Sequence, residues 1–246
     1  MRTNPLNCII IAGLMVAAFA TGVPAYTGLE ILQISDSKVI PKFCKYRIVM
    51  KTVEQSGRER LTVMRGFMKT SIKNVLITER PKTAAGTVHL RKDTVIWSYY
   101  TTNHKLMKVS YQSIFMGSIL NYGDVMATEL AVDYDVKSMD DKSQEYRLEL
   151  TPKKNREGYA KILLYIDKKT FYPIKREYFA LSGMMLKTCE FKKVEWDKGK
   201  LKHVEEVFYE PVKDRKTIVT WDSFEHDVNI PEKYFNPEYL RNLSGE

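Results

Sequence analysis

Residues 111–135 read YQSIFMGSILNYGDVMATELAVDYD and differ in pattern from the segments on either side of them. Large apolar side chains recur there at intervals of three and four residues, which is the helical period, until Asn121 and Gly123 interrupt the run. A second short turn follows and carries Val125 and Leu130. The spacing predicts a helical flap in the middle of a chain that otherwise resembles a series of strands. A helix packed permanently on a sheet and a helix that closes over a ligand remain alternatives at this point.

The rest of the chain alternates apolar and polar residues with the period of two that is typical of β-strands. Six such segments, beginning at Cys44, precede the flap, and the pattern predicts twelve or thirteen strands in all. The clearest lies at 145–150, where apolar residues alternate with charged ones. Residues 28–38 have helical spacing instead and predict a short amphipathic helix that ends before Pro41. The tail, 228–243, is expected to pack irregularly against a sheet end.

This order of elements predicts a mainly β protein with an α lid. One curved antiparallel sheet would form an unclosed, or half, β-barrel covered by short helices. A two-sheet sandwich is the competing architecture, but many strands have an apolar face while few helical segments exist to cover it. A large sheet curls, and its covered concave face encloses a cavity, expected here at the ~300 to 1,000 Å³ usual for ligand pockets.

Residues 1–25 have the three parts of a secretory signal peptide. Arg2 provides the positive start, 8–20 are apolar, and small residues precede a predicted cleavage after Ala25. The apolar run is shorter than the ~20 residues that a membrane-spanning helix needs. The sequence therefore predicts a cleaved export signal followed by a single domain, 26–246, in the periplasm.

The chain is moderately basic, with a formal net charge of +9 at pH 7. Such a charge suits an anionic membrane surface, an acidic partner or nucleic acid. An exported protein rarely meets nucleic acid, so we expect no nucleic-acid partner. A membrane or a protein partner remains, beside the simpler interpretation that the charge only aids solubility.

The sequence contains no specific catalytic or metal-binding pattern. It has no G-x-S-x-G, no H-E-x-x-H and no glycine-rich phosphate loop, and its histidines are scattered singly. We therefore expect no cofactor and no metal. The neighbouring carboxylates at 133–135 and 140–141 are interpreted as solvated acids. Cys44 and Cys189 follow the export signal and are able to form one disulfide in an oxidising compartment, but the sequence leaves open whether they do.

Several short stretches beyond the export signal follow one another in a recognisable order. They are GRER (57–60), GTVHL (86–90), DTVIW (93–97), FMGS (115–118), YGDV (122–125), DYD (133–135), YRLELTP (146–152), IDKKTFYP (166–173) and IPEKYFNPEYL (230–240). No stretch is specific alone. Their order and spacing, over 29–243, resemble the LolA-like outer-membrane lipoprotein-sorting family, in the larger variant often associated with RND-type or MMPL-type exporters.

This resemblance implies a LolA/LolB-like half β-barrel with a helical lid, whose apolar cavity shields the acyl chains of a lipoprotein or another lipid. It implies a periplasmic carrier, or chaperone, that receives cargo from an inner-membrane donor complex or exporter and passes it to an outer-membrane acceptor. Such a carrier performs no covalent chemistry, so an enzyme is not expected. Two other classes stay open: an envelope scaffold or sensor β-domain that carries no cargo, and an enzyme that acts on lipid through an unrecognised site.

The helical period of the flap and the period of two in the strands suggest which residues would line the expected cavity. The lid candidates are the large apolar residues of the flap: Phe115, Met116, Ile119, Leu120 and Met126. The wall candidates are apolar strand residues: Ile48, Met50, Met64, Phe67, Trp97, Tyr99 and Leu164. Alternation defines the two faces of each strand but does not say which face is concave. A lid that fills the empty cavity with its own side chains would compete with the cargo and so permit release.

Overall fold

One antiparallel sheet of thirteen strands dominates the part of the chain that the structure describes. The computed structural model describes residues 26–39, 41–126, 129–154 and 158–245, so the predicted signal peptide lies outside the described residues. The strands are β1 (Cys44–Val53), β2 (Glu59–Thr70), β3 (Lys73–Arg80), β4 (Val88–Lys92), β5 (Val95–Tyr100), β6 (Lys105–Val109), β7 (Tyr134–Asp141), β8 (Glu145–Pro152), β9 (Lys161–Asp167), β10 (Pro173–Phe179), β11 (Met185–Asp197), β12 (Lys200–Glu210) and β13 (Arg215–Glu225).

The order of strands across the sheet explains why a long connection must lie over it. That order is β6-β5-β4-β3-β2-β1-β13-β12-β11-β10-β9-β8-β7. The first six strands form one meander and the last seven form another, and the two meet where β1 pairs with β13. Strands β6 and β7 are the edges, and within the described residues they do not pair with each other. The predicted unclosed β-barrel is therefore confirmed, and the segment from β6 to β7 crosses from one edge of the sheet to the other.

The helices are few and short. They are α1 (Gly28–Val39), α2 (Tyr122–Met126), α3 (Leu130–Asp133) and α4 (Leu240–Leu243), with 3-10 turns at Lys82–Ala84, Glu232–Phe235 and Pro237–Tyr239. The predicted N-terminal helix is confirmed by α1, at whose start Glu30 N donates to Thr27 Oγ1 (3.3 Å). Ile31 and Leu32 are the apolar residues that α1 buries. Among the described residues, no helix combines the length and the apolar character needed to cross a membrane.

The prediction of a helical flap over 114–120 is wrong. Residues 111–121 form consecutive turns around an isolated antiparallel bridge. Met116 and Gly117 have φ angles of 50° and 68°, in the left-handed region that a right-handed helix does not contain. The three- and four-residue spacing of apolar side chains therefore arises here from turns that direct them inward.

Ser118 replaces the helical hydrogen bonds in this segment. Its Oγ donates to Phe115 O (2.7 Å) and accepts from Leu120 N (3.0 Å). Side chains of this kind compete with helix formation by bonding the nearby backbone. The helix begins only at Tyr122, where α2 starts. We refer below to residues 111–126 and 129–133, which lie between β6 and β7, as the flap.

The two faces of the sheet bury different partners. The inner face packs against α1 and the flap in the larger apolar cluster. The outer face of β3 and β4 is covered by the C-terminal tail, which buries Ile230, Phe235, Leu240 and Leu243 there. We expected this tail at a sheet end. It lies on the outer face instead, because β3 and β4 are buried on both faces and the flap covers only one of them.

Candidate functional site

The flap fills the interior of the half-barrel with its own side chains. The interior apolar cluster contains all five lid candidates: Phe115, Met116, Ile119, Leu120 and Met126. Phe115 has no exposed surface, and its ring lies 4.9 Å from the ring of Tyr122 and 5.0 Å from that of His89, centre to centre. Burial lowers the pKa of His89 to about 3, so this neighbour is neutral. The segment therefore acts as an internal plug as well as a cover.

Four of the seven wall candidates face the flap across this interior: Ile48, Met50, Met64 and Leu164. The other three lie on the outer face, in the cluster beneath the C-terminal tail: Phe67, Trp97 and Tyr99. The period of two explains the division, because Met64 and Phe67 are three residues apart on β2 and so point to opposite faces. On β5 the inner face carries Ile96. The outer three are thus absent from the interior, and the lipid-binding role of the remaining candidates stays a prediction.

A buried ion pair anchors the flap, and sequence patterns gave no sign of it. Lys187 of β11 pairs with the Asp124 carboxylate of α2, and these side chains are only 6% and 1% exposed. Lys187 Nζ also donates to Ile119 O (3.1 Å). Tyr159 OH donates to Asp124 Oδ1 (2.9 Å), and Asn121 Nδ2 donates to Tyr159 OH (2.8 Å). Moving α2 away would leave the Lys187 charge buried without its Asp124 partner, which costs roughly 3 to 5 kcal/mol. These contacts therefore fix the position of α2.

Arg91 of β4 contacts both ends of the flap. Its guanidinium pairs with Asp133 at 2.9 Å, and neither side chain is more than 4% exposed. The same guanidinium lies 5.5 Å from the centre of the Tyr111 ring, within range of a cation–π interaction. Asp133 is therefore a buried partner of Arg91 and not the solvated acid that the sequence indicated. Its partner lies 42 positions away in the chain, beyond the reach of any local pattern.

Helix α1 contributes a third buried carboxyl, beside Asp124 and Asp133. Asp36 Oδ2 accepts a hydrogen bond from Ala131 N (2.7 Å) at the start of α3. Burial raises the pKa of Asp36 to about 7, although the Ala131 bond and the charge of Arg176 oppose the shift. Lys153 Nζ donates to Ala131 O (2.6 Å) from the other side. The C-terminal part of the flap is therefore held by several polar contacts.

The N-terminal part of the flap is held more loosely. Arg60 of β2 donates from Nη1 to Gly117 O (2.7 Å) in an exposed position. Gln112 Nε2 donates to Gly158 O (3.1 Å), also in an exposed position. Exposed hydrogen bonds of this kind exchange readily with water and contribute little net stability. The half of the flap from α2 onward is thus anchored by buried ion pairs, and the half before it is anchored more weakly, by two exposed hydrogen bonds and the buried bond from Lys187 Nζ to Ile119 O.

The free space left inside the half-barrel is small while the flap is in place. Arg176 lines two interior cavities, each of about 30 Å³, which hold roughly one or two waters apiece. The enclosed cavity of several hundred Å³ that we expected between lid and wall is not seen among the described residues, because the flap side chains occupy that volume. Glu206 lines one of the cavities, and burial raises its pKa, opposed by the charge of Arg176 and by a hydrogen bond from Trp221 Nε1 (3.0 Å).

A larger pocket of about 450 Å³ opens at one end of the half-barrel. We call this end the rim and define it by the described residues of the β8–β9 loop, 153–154 and 158–160, and by the β10–β11 turn, 180–184. Tyr159 and Leu181 line the pocket from the rim, and Gln112 and Asn121 line it from the flap. The pocket is therefore the place where the flap meets the rim.

The two cysteines of the described residues do not form a disulfide. Cys44 and Cys189 are both free and buried, and burial raises the pKa of the Cys44 thiol to about 12. In the part of the chain that the structure describes, no three or more His, Cys, Asp or Glu side chains come together as metal ligands would. The site is an apolar interior that a partly anchored flap fills. The buried ion pairs of Lys187 and Arg91 lie beside it.

Comparison with known proteins places the chain among a set of related folds. A family model described as "Uncharacterized protein" matches residues 71–242. No curated protein matches the sequence. A LolA superfamily protein from Nitrosomonas europaea has a similar structure, with a TM-score of 0.77 and 20% identity over 87% of this chain and 100% of that one.

Two further solved structures are similar over the same share of the chain. A DUF1329 family protein from Desulfovibrio piger has a TM-score of 0.74 and 19% identity, with 87% of this chain and 97% of that chain covered. A putative outer membrane lipoprotein-sorting protein domain from Vibrio parahaemolyticus has a TM-score of 0.73 and 21% identity, with 87% and 98% covered. At these identities the likeness is one of fold, and it confirms the resemblance found in the sequence at that level.

Proposed function

We propose that this protein is a carrier of acyl chains. The chain belongs to the family matched over residues 71–242 and has the fold of the LolA superfamily. In this proposal, acyl chains of a lipoprotein or another lipid enter the half-barrel and take the place of the flap side chains. The carrier works in the periplasm, between an inner-membrane donor such as an RND- or MMPL-type exporter and an outer-membrane acceptor. It performs no covalent chemistry, binds no nucleic acid, and comprises a single domain, 26–246.

One observation carries the proposal: a segment without regular secondary structure fills the interior of an open sheet. Phe115 and Leu120 are buried as deeply as any core residue, yet 112–120 contains no helix or strand that would hold them there. Hydrogen bonds from Arg60 and Lys187 to backbone carbonyls tie this part of the flap down. A permanent core element is normally supported by its own secondary structure, whereas a segment held in this way is suited to leave and return.

The magnitudes favour reversible exchange. Moving an acyl chain of about 16 carbons out of water is worth roughly 12 kcal/mol, at ~0.8 kcal/mol for each CH₂. Exposing Phe115, Ile119 and Leu120 costs about 1.5 to 3 kcal/mol each, and losing two hydrogen bonds costs about 1 kcal/mol each, or roughly 7 to 11 kcal/mol in all. The difference of about 1 to 5 kcal/mol favours uptake only modestly. A carrier needs this balance, because cargo that bound with the full transfer free energy would not be released.

The class of cargo is supported by one of the similar structures. The domain from Vibrio parahaemolyticus is described as a putative outer membrane lipoprotein-sorting protein domain. The inner face of this chain is apolar where the flap contacts it, which suits acyl chains of any attached headgroup. Acyl chains of a lipoprotein are therefore the first cargo to test, and free phospholipid is the second.

Native mass spectrometry of the protein purified from membranes tests the carrier function. We expect a species whose added mass equals that of an acylated molecule, and we expect the delipidated protein to bind a fluorescent fatty-acyl probe. Lipid that is bound and released unchanged supports the carrier. A protein that neither retains lipid nor binds the probe would be an envelope scaffold or sensor, and a protein that converts the lipid would be an enzyme.

A further inference from the structure

The turn between β10 and β11 exposes apolar side chains although its backbone is held by hydrogen bonds. Ala180 N donates to Met184 O (2.9 Å), and Gly183 N donates to Ala180 O (3.0 Å). Gly183 has a φ of 82°, which the turn requires and which glycine adopts without strain. Leu181 at the tip is nevertheless 97% exposed, and Met184 is 52% exposed. Tips of this kind are usually polar, so a structured tip that carries Leu and Met needs an explanation.

Further apolar surface continues from this tip towards the flap. Leu181 and Phe179 belong to the lining of the 450 Å³ rim pocket. On the flap side of the pocket, Asn121 forms a backbone bridge with Ile114, which is 65% exposed. Exposed apolar residues thus lie on both sides of the opening through which the weakly anchored half of the flap would have to move.

The sequence around this opening is mainly basic. Residues 152–161 and 179–184 contain Lys153, Lys154, Arg156 and Lys161 and one carboxylate, Glu157. Lys154 is exposed, and Lys161 Nζ lies 4.3 Å from the centre of the Phe179 ring. Lysine is depleted in protein–protein interfaces, whereas lysines beside exposed apolar residues suit the surface of an anionic bilayer. The combination therefore favours a lipid surface over a protein partner.

We propose that the rim docks on an anionic lipid bilayer, with Leu181 and Met184 inserted among the acyl chains and the nearby lysines on the headgroups. In this orientation the rim pocket and the N-terminal half of the flap face the leaflet. An acyl chain passes between bilayer and interior along apolar surface, without crossing water. The role of docking in cargo transfer rests on the proposed carrier function, but the docking itself does not.

Vesicle flotation tests the docking. We expect the wild-type protein to float with vesicles of phosphatidylglycerol and phosphatidylethanolamine, and to float at least tenfold less with vesicles of phosphatidylcholine alone. The double variant Leu181→Asp/Met184→Asp should lose binding to the anionic vesicles at least tenfold. The control Ile174→Asp changes a residue of the same β10–β11 hairpin that is 41% exposed and distant from the tip, and it should bind as the wild type does.

A second variant tests the charge. Lys154→Glu/Lys161→Glu should reduce binding to anionic vesicles at least fivefold and should make the remaining binding insensitive to salt. Thermal melts of all variants should match the wild type, because every changed side chain lies wholly or partly at the surface. Wild-type protein that does not float with anionic vesicles, or a tip variant that floats as well as wild type, overturns the proposal and leaves the tip as a site for a protein partner.

A soluble fluorescent fatty-acyl probe separates this proposal from the carrier function. The tip variant should bind the probe as the wild type does, because the interior is unchanged. Probe binding without vesicle binding in the wild type would overturn the docking and keep the carrier. Vesicle binding that depends on the tip, in a protein that does not bind the probe, would support the docking and overturn the carrier.

Discussion

Replacing Phe115 by alanine tests whether the flap competes with cargo for the interior. Phe115 has no exposed surface and lies between the rings of His89 and Tyr122. Removing a buried phenyl group costs about 3 to 5 kcal/mol, and here the whole cost falls on the state in which the flap is closed. The cargo-bound state does not contain this contact, so the net affinity for an acyl chain should rise by up to the same amount. At 1.4 kcal/mol for each factor of ten, this amounts to about 100-fold or more.

The assay compares stability and affinity in the same variant. Phe115→Ala should unfold at a lower urea concentration than the wild type and yet bind a fluorescent fatty-acyl probe with at least a tenfold lower Kd. Phe235→Ala is the matched control, because Phe235 is 1% exposed but lies on the outer face beneath the C-terminal tail. It should lose similar stability with unchanged probe affinity. A destabilised Phe115→Ala protein whose probe affinity is unchanged or weaker would show that the flap is a fixed part of the core.

Three further outcomes follow from the buried charges. Asp133→Ala should lower the free energy of unfolding by about 3 to 5 kcal/mol, because the Arg91 charge is left buried, and Arg91→Met/Asp133→Leu should recover much of it in urea titrations. Lys187→Met should speed amide hydrogen exchange throughout the flap, whereas Lys45→Met, which breaks only an exposed pair, should not. The folded-state pKa of Asp36 is raised to about 7, above the ~3.9 of an unfolded chain, so its contribution to stability is complete below pH ~4 and is lost as the pH rises through 7. Asp36→Asn should therefore match the wild type at pH 4 and exceed its free energy of unfolding by up to about 4 kcal/mol at pH 8.

The regular elements of this fold are predictable because their residues interact with near neighbours in the chain. The start of α1 depends on a cap and β8 on alternation, and both signals lie within a few residues. Both elements occur where the sequence predicts them. The open sheet follows from the number of strands and the scarcity of helices. The position of the tail was not predicted, because alternation along β3 and β4 does not say which face is covered by the flap and which by 228–243.

The candidate site was less predictable, for reasons that individual residues show. The spacing of Phe115 and Leu120 is helical, but Ser118 bonds the backbone between them and the left-handed φ of Met116 forbids a helix. Lys187 gave no local signal, because its partners lie on the flap and 63 or more positions away. Apolar periodicity therefore identified the segment that fills the interior, while the charges that anchor it became apparent only with the fold.

The pairing of β1 with β13 sets the order in which this protein is able to fold. Each meander consists of strands that are adjacent in sequence and forms from short-range hairpins, but the seam between them joins Lys45 to Glu225, 180 positions apart. Contacts between such distant residues form slowly, because a long loop has to close first. A nascent chain accordingly exposes two unfinished curved sheets until β13 has emerged. A chain truncated before β13 would leave two separate half-sheets with a second pair of bare edges, a form prone to aggregate.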